Sequence, residues 1–121
     1  MPEVLHVSGL LLYEFRQSLR FQVWLRGRDK NKGHTQSDCD RSLSDLQTDL
    51  DSGTVLTVTA DWPDVHRLAE TLSKRHTIPG GHRSMDVLHV ATALHLGAKE
   101  FLSFDTNQRK LAAAEKFKVK P

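Results

Sequence analysis

Short β-branched or apolar runs alternate along this chain with longer stretches in which apolar residues recur every three or four positions. Glu3 to Val7 (EVLHV) reads as a strand, Ser8 as the N-cap of a helix reaching about Arg26, and Leu12, Phe15, Leu19 and Val23 as the buried face of that helix. The polar, glycine-containing text from Arg26 to Ser37 (RGRDKNKGHTQS) is a loop, and its charge marks it as a candidate partner surface. Cys39, Leu43, Leu46 and Leu50, at spacings of four, three and four, define a second helix that ends near Asp51-Ser52-Gly53.

Thr54 to Thr59 (TVLTVT) predicts a second strand, and Asp61-Trp62-Pro63 opens a helix with Val65, Leu68, Ala69 and Leu72 as its stripe. Lys74 to Gly81 (KRHTIPGG) should break that helix. Ser84 is placed to cap the next one, whose Val87, Val90, Ala91 and Leu94 share a face and which Gly97 should stop. Lys99 to Phe104 (KEFLSF) reads as a strand ending at Asp105, followed by a helix over Gln108 to Lys116 and a short strand at Phe117 to Val119. Strands separated by helices cannot form simple hairpins, so the order β-α-α-β-α-α-β-α-β predicts a parallel sheet with right-handed crossovers and helices on both faces.

Composition narrows the class. A chain of 121 residues with 38% hydrophobic and 26% charged positions suits one ordinary globular domain. A net charge of +2 excludes a general polycation, although Thr106 to Pro121 holds five basic residues against one acid, which either approach phosphates or form a solvated helix face. The single cysteine, Cys39, excludes an internal disulfide and fits a reducing compartment such as the cytoplasm. The apolar run Leu10 to Leu12 is too short for a signal-peptide core or a membrane span, so neither export nor membrane insertion is expected.

Three acids stand where chemistry is expected. In a parallel sheet ligands gather beyond the carboxyl ends of the strands, where Asp105 follows FLSF. Asp86 lies in the first turn of its helix, at the positive end of the dipole, and Glu14 lies about a turn and a half into the first helix. Each also has an ordinary role open to it: Asp86 as a first-turn charge, Asp105 as an N-cap or turn residue, and Glu14 as a solvent-facing position. If the three converge, their mutual repulsion calls for a hard divalent cation such as Mg²⁺ or Mn²⁺, whose chemistry suits phosphodiester hydrolysis.

The remaining candidates are weaker. The seven histidines include no H-x-x-x-H pair with an adjacent glutamate, so zinc is not supported. Neither a nucleophile elbow nor a phosphate-binding glycine loop is present. His89, one turn after Asp86, either adjusts its surroundings or packs the helix. Arg83, Lys74 and Arg75 near the start of the Asp86 helix, with Arg109 and Lys110 in the basic C-terminal run, are either candidate contacts to phosphate or solvated surface charges.

Arg83 to Asp105 resembles the C-terminal core of PIN domains, especially VapC-type toxins. The shared features are D-x-x-H-x-A-T-A at Asp86, His89, Ala91, Thr92 and Ala93, the Gly97-Ala98 turn, and Phe104-Asp105 after a strand. Val7 to Glu14 (VSGLLLYE) is similar to the family's strand, serine and glutamate-bearing helix. The resemblance implies an α/β three-layer sandwich with a central parallel sheet. It also implies a Mg²⁺- or Mn²⁺-dependent ribonuclease with Glu14, Asp86 and Asp105 as its metal-associated acids, an RNA substrate, and a small antitoxin protein as partner. The family's opening strand and its aspartate have no counterpart before Met1-Pro2-Glu3. The expectation is therefore an N-terminally truncated sheet and a metal site weakened by one carboxylate. The gap is met by pairing with another copy, a rearranged sheet, a strand supplied in trans or a longer natural chain; a homo-oligomer, with or without exchanged elements, is the expected outcome. A catalytically silent assembly or protein-binding module is the competing reading.

Overall fold

The computed structural model describes residues 3–121. What was expected of Met1 and Pro2 lies outside them. Contacts divide the chain into two compact units, one ending at Thr59 and the other spanning Ala60–Pro121.

The first unit runs β1 (Leu5–Ser8), α1 (Gly9–Arg28), α2 (Gln36–Ser52) and β2 (Val55–Val58). Ser8 caps α1 as expected, its Oγ accepting from the Leu11 N–H at 3.0 Å. Thr35 caps α2 in the same way, accepting from Asp38 N–H at 3.1 Å, and Gly53 ends it at φ 81°, where a side chain would be strained. β1 and β2 pair in parallel, from Leu5 opposite Val55 to Ser8 opposite Val58. Val7, Leu12 and Val55 form a small core on which Leu11, Leu46 and Leu50 pack. That core ends at Leu12, so Phe15, expected inside, is 43% exposed.

The second unit runs α3 (Trp62–Gly80), α4 (Ser84–His95), β3 (Glu100–Leu102), α5 (Thr106–Ala114) and β4 (Lys118–Lys120). Val65, Leu72, Val87, Val90, Ala91, Leu111, Ala112 and Phe117 are its buried core. β3 and β4 pair in parallel, and Ser103 N–H extends the ladder by donating to the Lys120 carbonyl at 2.9 Å. The alternation and the parallel sense of the strands match expectation. The single sheet is replaced, among the described residues, by two two-stranded sheets, one in each unit. None of the described helices is long and apolar enough to cross a membrane.

Several boundaries moved for local reasons. α3 continues through the expected break at Lys74 to Gly81 and ends at Gly80, one residue after Pro79, so the proline stands at the end of the helix and not in its middle. Gly81 closes it at φ 67°, its N–H donating to the Thr77 carbonyl at 2.7 Å. The stripe Leu68-Leu72 is extended by His76, a polar residue that hydrophobic periodicity does not register. Arg83, not Ser84, occupies the N-cap position of α4, and Ser84 is the first helical residue. Gly97 stops α4 as expected in a Schellman motif, with Gly97 N–H bonded to Leu94 and Ala98 N–H to Ala93. α5 ends in the same motif, Lys116 N–H to Ala113 and Phe117 N–H to Ala112, but Lys116 sits at φ 71° where glycine is the usual choice.

Glu115, just after α5, ties that helix to α3. Its side chain is 11% exposed, and its Oε2 accepts from His76 Nε2 at 2.6 Å and from Arg75 Nη1 at 2.9 Å. Burial raises the carboxyl pKa, but the hydrogen bonds from His76 and Arg75 and the charges behind them outweigh burial and hold it below the ordinary 4.5.

A depressed folded-state pKa contributes stability above the unfolded value, and that stability is lost as pH falls through the folded one. Urea midpoints should therefore drop on acidification below pH 4.5, and Glu115→Gln should flatten that dependence. Lys116→Gly should raise stability by about 1 kcal/mol by relieving the left-handed conformation, read as a higher urea midpoint at unchanged slope.

Candidate metal and nuclease site

The carboxyl end of β3 leads through Ser103 and Phe104 to Asp105, which is the N-cap of α5. Asp105 Oδ1 accepts from Gln108 N–H at 2.8 Å, while its own N–H donates to Ser103 Oγ at 3.1 Å. Ser103, itself buried, donates through Oγ to Gln108 Oε1 at 2.7 Å, so strand end, acid and helix start form one hydrogen-bonded turn. Sequence reading missed Ser103 and Gln108 as positioning residues. Their signal was only an S/D-x-x-Q capping pattern read across the strand end. Phe104 beside this turn is 81% exposed.

Asp86 is the third residue of α4, half-buried, and the rest of that helix is anchored by Val87, Val90 and Ala91 in the core. The start of α4 lies by the start of α5: Asn107 Nδ2, in the first turn of α5, donates to the Gly81 carbonyl at 3.4 Å, just ahead of α4. Asp86 and Asp105 thus stand at the same end of the second unit, each at the positive end of a helix dipole that offsets part of the cost of gathering anionic oxygens.

Glu14 is the third expected acid. It lies half-buried in α1 of the first unit. Carboxylate oxygens are the donors that a hard cation such as Mg²⁺ or Mn²⁺ takes, so the donor chemistry fits. Among the described residues, however, no three His, Cys, Asp or Glu side chains gather closely enough to hold a metal ion. The second unit supplies two acids at one edge and not a complete coordination shell. His89 is buried in α4, one turn after Asp86.

The basic candidates divide. Arg83 is exposed at the N-cap of α4, Lys110 is exposed on α5, and Lys74 is exposed on α3. Arg75 is paired with Glu115, and Arg109 Nη1 donates to the carbonyls of Ser103 at 2.8 Å and Lys120 at 3.0 Å. These two arginines serve the fold of the second unit.

The capping bond and the negative charge of Asp105 can be separated. Asp105→Asn keeps a good cap and should leave stability within a few tenths of a kcal/mol, whereas Asp105→Ala should cost about 1 kcal/mol. Denaturation of both variants checks this, and isothermal titration with Mn²⁺ should show both weakened equally if the charge is a ligand.

Residues 1–114 match the PIN domain family. No match was found among curated proteins or among solved structures. PIN domains are generally nucleases and typically depend on divalent metal. A family match that spans nearly the whole chain, on an α/β framework of short parallel strands, means that this protein belongs to the PIN domain family.

Proposed function

We propose that this PIN domain is a Mg²⁺- or Mn²⁺-dependent ribonuclease of the VapC toxin type that hydrolyses RNA phosphodiester bonds, with Asp86, Asp105 and Glu14 as its metal-associated acids. The observation that carries this reading is the placement of Asp86 and Asp105 at two neighbouring helix starts beyond the end of β3. A bound divalent ion would supply an activated water and neutralise charge developing on the phosphate. Asp105 spends one oxygen on the Gln108 cap, but a carboxylate offers about four acceptor sites, so capping and metal binding are compatible. Arg83 and Lys110 are the exposed cations suited to hold the phosphate backbone, with Lys74 further along α3. Arg75 and Arg109, already bonded within the unit, act by keeping α3, α5 and the strand end in place.

The same reading carries the partner of that family type, a small antitoxin protein that restrains the enzyme, and the expected homo-oligomer adds a second copy of the chain, with or without exchanged elements. A single cysteine, Cys39, buried in α2, supports work in the reducing cytoplasm.

Cleavage of a fluorescent single-stranded RNA should require Mn²⁺ or Mg²⁺ and stop in EDTA. Asp86→Asn should lower the rate by on the order of 100-fold, the upper end of the loss seen when residues supporting a metal site are removed, while costing no more than about 1 kcal/mol of stability, the scale of the lost charge at a helix start. Metal-independent cleavage, or full activity in Asp86→Asn, would sink the assignment.

A further inference from the structure

The outward face of α1 carries a surface that the acids of the second unit do not use. Phe21 and Trp24 are 50% and 51% exposed, their ring centroids lie 5.4 Å apart, and the Arg28 guanidinium lies 4.9 Å from the Trp24 ring centroid. From Arg16 to Lys32 the chain holds six cations (Arg16, Arg20, Arg26, Arg28, Lys30 and Lys32) against a single acid, Asp29. The loop that carries Lys30 and Lys32 is fastened to the same helix. His34 N–H donates to the Gln22 carbonyl at 3.1 Å. Gly33, at φ 70°, lies so close that a Cβ there would fall 2.1 Å from that oxygen, so only glycine permits the approach. The basic loop is thereby built against the end of α1 that bears the aromatic pair.

Half-exposed aromatic rings stacked with arginine and surrounded by cations suit a ligand that is both polyanionic and rich in flat π-faces. We propose that Phe21, Trp24 and Arg28 form a stacking platform for single-stranded polynucleotide, with Arg20, Lys30 and Lys32 following its phosphates. A duplex hides its base faces and fits poorly. A second copy paired through this face about a two-fold axis would set the cations against themselves, which like-charge repulsion opposes. The inference adds a strand-binding surface to the nuclease reading and does not rest on it.

The test is fluorescence anisotropy of labelled oligouridine of about twelve nucleotides, bound to the full chain in EDTA and low salt so that binding is read without cleavage. Trp24→Ala should weaken binding about tenfold, and Trp24→Phe should restore it to within about threefold, since a benzene ring still stacks. Arg20→Gln should reduce the slope of log affinity against log salt by about 0.7. Oligothymidine in a parallel arm tells whether the strand must be RNA, and a blunt duplex should compete poorly. Circular dichroism of each variant should match the parent, as expected for half-exposed side chains. Equal binding by parent and Trp24→Ala, or equal competition by duplex, would overturn the proposal. So would self-association that depends on Trp24 without oligonucleotide binding, which would assign the face to a second copy docking its acidic α2 there. Mn²⁺-dependent cleavage and its loss in Asp86→Asn report on the nuclease reading separately, so either can fail alone.

Discussion

The second unit depends on the burial of one side of α4. Val90 and Ala91 are fully removed from solvent, and Val65, Leu72, Leu111, Ala112 and Phe117 close around them. Each large aliphatic residue buried there contributes about 1.5–3 kcal/mol, so turning α4 about its axis would expose a seam that nothing else replaces. Asp86 lies one turn before Val90 on this helix, and its direction is set by that packing. Close-packed interiors have few alternative fits, which lets an apolar contact orient a polar group at the helix start.

At Asp105 the ordinary role and the chemical one coincide. The residue caps α5, and the same cap fixes its carboxylate at the end of β3 through Ser103 and Gln108. Helix starts suit acids because the first N–H groups lack intrahelical partners and carry partial positive charge. The starts of α4 and α5 each place an acid, Asp86 and Asp105, in such a field. The Glu115 cluster plays a similar electrostatic part at another point, holding a mostly buried carboxylate charged between Arg75 and His76 so that α5 stays on α3.

The first unit is organised differently. Its core is small, a cluster of Val7, Leu12 and Val55 with the leucines packed on them and a separately buried Cys39, and much of α1 is left with outward aromatic and basic residues. A helix with cations and exposed rings on one side is costly to keep in water without a use, because exposed aromatic surface favours association. Gly33 adds to this surface through backbone geometry, bringing the lysine loop against α1 where any side chain would collide with the Gln22 carbonyl.

Much of this was legible in the amino-acid order. Helical period located α1, α2 and α4, cap chemistry at Ser8, Gly53 and Gly97 set several of their ends, and the motif from Asp86 to Asp105 pointed to the family, because these are local properties of neighbouring residues. The length of α3 was not legible, since its stripe continues through His76, whose partner Glu115 is distant in sequence. Nor was the commitment of Arg75 and Arg109 to internal bonds, the left-handed Lys116, or the division of the strands into two parallel pairs. Sequence determined which segments would be helix or strand and which acids lay at their ends. Tertiary structure decided which charges were consumed in holding the fold, because hydrogen bonds and ion pairs form between groups far apart along the chain, where no local pattern records them.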